Sequence, residues 1–83
     1  MQAALYVNRE SGRAVLFAFH AGDPSLDHTL RLRGLARNRA YRLHMPEGYG
    51  PDRTAGGKQL LEEGLPLRFP HAGASAVILI EPR

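Results

Sequence analysis

Nine glycines and six prolines are spread through 83 residues, a density of backbone breakers that leaves no room for long helices. No stretch keeps a 3.6-residue apolar period, and short apolar runs alternate instead with turn-forming clusters, the arrangement of short strands with tight connections. Residues 3–7 form an extended run, and Glu10, Ser11 and Gly12 supply turn chemistry before the apolar run 14–19, so the opening reads as a β-hairpin. Side chains alternate across a strand, which puts Val15, Phe17 and Phe19 on one face and Ala14, Leu16 and Ala18 on the other. Both faces of this strand are apolar.

After a breaker cluster at 21–25, Leu30 and Leu32 alternate with Thr29, Arg31 and Arg33, the pattern of a half-buried strand. Gly34 ends it, a polar turn follows at 36–39, and Tyr41, Leu43 and Met45 alternate with Arg42 and His44, which predicts a second hairpin. Residues 46–57 hold two prolines and four glycines and read as a mobile surface loop. Residues 58–63 have the length of one helical turn stopped by Gly64, but so short a helix is marginal by itself, and a short strand or turn is expected. Leu65, Leu67 and Phe69 alternate around Pro66, whose missing N–H confines the strand to a sheet edge. Residues 75–81 are β-branched and apolar on both faces, as in a central strand covered on each side. The expectation is an all-β fold, a small antiparallel β-sandwich of seven to eight short strands forming one domain over residues 1–83.

Composition excludes several classes of function. The chain has no cysteine, so disulfides, thiolate metal sites and thiol nucleophiles are absent and packing alone must hold the fold. The longest apolar run, 76–80, is far short of the ~20 residues that a membrane helix needs. Residues 1–6 carry no targeting signal, and a cytoplasmic setting is the expectation. The net charge of +3 aids solubility and falls short of a nucleic-acid footprint.

Catalytic chemistry finds little support. His20, His28, His44 and His71 lack the i, i+4 spacing of a helical metal site, and local hydrogen bonding is the better reading. Asp23 with Asp27, and Glu62 with Glu63, are the nearest approach to an acid–base pair, yet both lie in turn-like sequence rather than across a rigid pocket. Ser11, Ser25 and Ser75 have no nucleophile-elbow setting. Gly57 and Lys58 are followed by Gln59, which breaks the phosphate-loop pattern. No catalytic residue, cofactor or metal is assigned. Arg31, Arg33, Arg37, Arg39 and Arg42 form the one conspicuous charge cluster, but Tyr41, the only ring beside them, has inward parity, which argues against single-strand nucleic-acid binding. For a sugar-binding module, Tyr6 and Tyr49 are the candidate aromatic contacts.

The order of the short motifs carries a resemblance. Leu30-Arg31-Leu32-Arg33-Gly34-Leu35, then Tyr41-Arg42-Leu43, then Gly57-Lys58-Gln59-Leu60-Leu61-Glu62-Glu63-Gly64-Leu65-Pro66-Leu67, and finally Ser75-Ala76-Val77-Ile78-Leu79, resemble the C-terminal β-domain of family thirty-six glycoside hydrolases, chiefly α-galactosidases. The opening runs 5–7 and 14–19 are similar to that domain's first hairpin, so the likeness spans nearly the whole chain. The resemblance implies an accessory antiparallel sandwich that packs against a (β/α)8 catalytic barrel, where two aspartates release terminal α-galactose with retention. The family's nucleophile lies in a Lys-Trp-Asp motif, and this chain has no tryptophan. No catalytic residue is therefore carried over.

Two strands apolar on both faces exceed what a two-sheet sandwich buries. Ala14, Leu16 and Ala18, with Ile78 and Ile80 or with Val77 and Leu79, are the expected patch for docking onto the barrel or for self-association of an isolated domain. The competing expectation is that loop 46–57 or Leu60 and Leu61 fold over that face.

Overall fold

The computed structural model describes residues 1–22 and 24–83. Its elements are β1 (Gln2–Val7), β2 (Ala14–Phe19), β3 (Asp27–Leu30), β4 (Ala40–His44), β5 (Arg53–Gly56), α1 (Gly57–Glu62), β6 (Leu65–Arg68) and β7 (Ser75–Pro82). The Asn8 N–H donates to the Arg13 carbonyl at 2.8 Å, and the Asn8 side-chain oxygen accepts from the N–H groups of Glu10 and Ser11. This Asx-type turn, completed by Gly12 at φ 77°, folds β2 back antiparallel on β1.

All pairing is antiparallel. A five-stranded sheet runs β1-β2-β7-β4-β5, and a two-stranded sheet, β3-β6, lies over one of its faces. β7 takes the central position expected of its doubly apolar run, and β6 with Pro66 is an edge. Between the sheets lie Leu16, Leu43, Ile78 and Ile80 from the large sheet and Leu30, Leu65 and Leu67 from the small one, closed by Leu32, Tyr41, Leu60 and Phe69.

Three expectations are corrected. The run 29–33 does not pair with the run 41–45: β3 ends at Leu30 and pairs with β6, while β4 pairs with β5 and β7. Past Leu30 the backbone turns toward the helix, where the Leu32 N–H donates to the Leu60 carbonyl at 3.1 Å, so Leu32 and Leu35 are buried without being in a strand. Residues 46–57 are not one loop, because 53–56 form β5. The chain there is tied by Asp52, which accepts from the Met45 N–H at 2.9 Å, and by Tyr49, whose hydroxyl donates to the Ser75 carbonyl at 2.8 Å.

Residues 57–62 form a helix rather than a strand or turn. Propensity alone cannot hold six residues; tertiary packing does. Leu60 is buried in the core, and Gly57 sits so close to the 36–39 turn that a Cβ there would fall 1.8 Å from the Ala36 carbonyl oxygen. Gly64, at φ 90°, ends the helix and turns the chain into β6.

Candidate functional site

The register of the large sheet sorts its two apolar faces. Leu16 lies opposite Ile78 and Ala14 opposite Ile80, and all four point into the core with Ala18. The patch expected at Ala14, Leu16, Ala18, Ile78 and Ile80 is therefore not a surface: the β3-β6 sheet and Leu60 cover it within one chain. The uncovered face has the other parity. Tyr6 is 65% exposed, and Phe17, Phe19, Val77 and Leu79 are each 43% to 49% exposed.

These side chains form continuous rows across three strands. Tyr6, Val15 and Leu79 make one row, and Ala4, Phe17 and Val77 the next. The Tyr6 and Phe17 rings meet edge to face with centroids 5.8 Å apart. An exposed apolar cluster of this kind on a small domain marks an interaction surface.

Toward β4 the same face becomes charged. His44, opposite Leu79, lies 3.5 Å from Asp52 through Nδ1 and 3.5 Å from Glu81 through Nε2, and Arg42 also reaches Asp52 at 3.5 Å. The Met45 N–H bond is the main cause that holds the Asp52 carboxyl below its ordinary 3.8; partial desolvation opposes it, and Arg42 and His44 reinforce it. The outer face thus has an apolar end on β1, β2 and β7 and an ion-paired end on β4.

The other candidate residues are dispersed. Tyr49 is buried, its hydroxyl donating inward and its ring against Phe69, so it offers no platform to a sugar. Tyr6 is exposed, meets Phe17 in an edge-to-face contact and borders an open concavity with Asn8, Ser11 and Arg13. His20 and His28 both donate from Nε2 to the Ser25 carbonyl, at 2.7 and 3.0 Å, beside Phe69. Asp27 is paired with Arg68 at 2.9 Å and Glu62 with Arg37 at 3.2 Å; Asp23 lies outside the described residues. The arginine cluster is divided, since Arg37 is held by Glu62 on α1 and Arg42 by Asp52 just before β5.

The family model described as Glycosyl hydrolase family 36 C-terminal domain matches residues 1–80 of the chain. The chain belongs to this family. No curated protein matches it. For a family 36 C-terminal domain, a catalytic domain is the implied partner.

The outer face of this family 36 domain was legible in the chain, though by a signal other than apolarity. Ser75 and Glu81 share the parity of Val77 and Leu79, and Arg13 shares that of Val15 and Phe17, so polar ends mark the outward set. The alanines at 14, 18 and 76 fit the opposite side, where a second sheet packs closely.

Proposed function

We propose that this family 36 C-terminal domain is a non-catalytic accessory domain that packs its outer face against the (β/α)8 barrel of an α-galactosidase-like glycoside hydrolase. The observation that carries the reading is the exposed row system of Tyr6, Phe17, Phe19, Val77 and Leu79 on a domain whose core is already complete without it. Covering these side chains removes apolar surface from water, at about 25 cal/mol per Å2, and so stabilises both bodies. The charged end at Arg42, His44, Asp52 and Glu81 suits the polar rim of such an interface.

The test is calorimetry of the 83-residue chain with a family 36 catalytic barrel that lacks its own C-terminal domain. Saturable binding is expected, weakened about tenfold or more when Phe17→Glu and Leu79→Glu are combined, the equivalent of at least ~1.4 kcal/mol. The chain alone is expected to leave α-galactosides intact. Absence of binding, or binding indifferent to the two charges, would overturn the docking surface. Localised amide shifts at Tyr6 on adding galactose or melibiose would move the reading to a sugar-binding module.

A further inference from the structure

The two edges of the large sheet are treated differently. β5 is a short edge of four residues, and the chain runs from its last residue, Gly56, directly into α1. β1 is open. It has six residues in unbroken register with β2 and contains neither a charge, a proline nor a bulge, the usual devices that blunt an edge.

The direction of its free groups follows from the turn. Asn8 and Arg13 are a hydrogen-bonded pair, and antiparallel pairs alternate, so Tyr6 and Ala4 bond to β2 while the N–H and C=O groups of Val7, Leu5 and Ala3 point off the edge. Among the described residues, no backbone group pairs with that side.

A groove runs along the inner side of this edge, floored by Leu5, Val7 and Tyr41 and flanked by Arg9, Arg33 and Arg39. These arginines come from two segments: Arg9 from the β1–β2 turn, and Arg33 and Arg39 from the two ends of the β3–β4 connection. Among the described residues no carboxylate pairs with any of them, whereas Arg37, Arg42 and Arg68 all have acidic partners. Neighbouring like charges left unpaired beside free backbone groups form a site complementary to an anion-bearing strand.

We propose that β1 and this groove form a strand-addition site for an extended acidic segment of a partner protein. Residues of the incoming strand that share the face of Leu5 and Val7 meet the arginines and are acidic; the alternate residues emerge beside Tyr6 and are apolar. A second copy of this chain does not fit, because pairing two β1 edges would bring two sets of three arginines together. The site borders the outer face at Tyr6 but uses the β1 edge and the groove beside it, not Phe17, Val77 or Leu79, so substitutions at those residues separate it from docking onto a barrel.

The probe is a blocked octapeptide of alternating glutamate and valine, titrated into the isotope-labelled 83-residue chain. Saturable amide shifts are expected at Ala3, Leu5 and Val7, with affinity falling severalfold between about 50 and 200 mM salt as screening grows. Combining Arg33→Ala with Arg39→Ala, both exposed and unpaired, is expected to weaken binding about tenfold while the rest of the spectrum stays in place. Ala3→Pro removes an outward N–H that the isolated domain does not use and is expected to abolish the shifts. Leu79→Glu should leave them unchanged. No saturable shift, equal binding of a lysine–valine octapeptide, equal binding by the double arginine variant, or tighter binding of oligothymidylate would each overturn the proposal.

Discussion

Along β2 and β7, neighbouring residues of similar apolarity have opposite environments. Leu16 and Ile78 are closed under the β3-β6 sheet, whereas their sequence neighbours Phe17 and Val77 are about half exposed. A two-stranded sheet and a single short helix cover only one side of the five-stranded sheet, so the inner face makes the fold and the outer face stays uncovered in this chain. On the proposed reading, apolar residues contribute to stability on one side and to association on the other, and substitutions should separate the two roles.

The largest difference is expected from truncating adjacent residues of β7. Ile78→Ala should cost about 3 kcal/mol of unfolding free energy, because the side chain leaves a cavity in a closed core, while Leu79→Ala should stay within about 0.5 kcal/mol in the isolated domain. Urea denaturation of both variants checks this. Equal losses would mean that the outer face is packed within the chain after all.

The tyrosines give the next contrast. The Tyr41 hydroxyl accepts from the Ala36 N–H at 2.8 Å in a buried setting, and Tyr41→Phe strands that donor, with an expected cost of about 1 to 2 kcal/mol. Tyr6→Phe, on the outer face, should leave the melting temperature unchanged. A smaller effect separates the two ends of the outer face. The carboxyl of Asp52 is held below its ordinary 3.8 in the folded protein, so the stability it contributes is present above that value and is lost as pH falls through and below it. Thermal melts between pH 6 and pH 3, roughly spanning that range, should show an acid limb that Asp52→Asn flattens and that Leu79→Ala leaves alone.

Much of this architecture was legible from period-two alternation. The first hairpin, the doubly apolar β7 at the centre and the Pro66 edge strand all follow from local pattern and turn chemistry. The pairing of β3 with β6 did not, because Leu30 and Leu32 keep strand parity although only Leu30 is in a strand; the choice was made by a long-range bond from Leu32 to the helix. Helix α1 was hidden for a similar reason: six residues have too little propensity to declare themselves, and what holds them is the fit of Gly57 against Ala36 and of Leu60 in the core. β5 was masked by the glycines and prolines around it, although Asp52 and Tyr49 anchor the whole segment. As for the site, apolarity showed that one face of β2 and β7 was in excess, but the expected patch at Ala14, Leu16, Ala18, Ile78 and Ile80 was the buried face; the polar residues Arg13, Ser75 and Glu81 at the strand ends were the signal that marks the outward one.

The central claim is that the outer face is free in the isolated domain and covered in the parent enzyme. With no native cysteine in the chain, Leu79→Cys and Ile78→Cys can each be labelled uniquely with a maleimide. The rates should be compared in the isolated domain and in the same domain joined to a family 36 catalytic barrel. The account predicts fast labelling of Leu79→Cys and slow labelling of Ile78→Cys in isolation, with the first falling to the rate of the second when the barrel is present. Leu79→Cys labelling equally fast in both settings would contradict it.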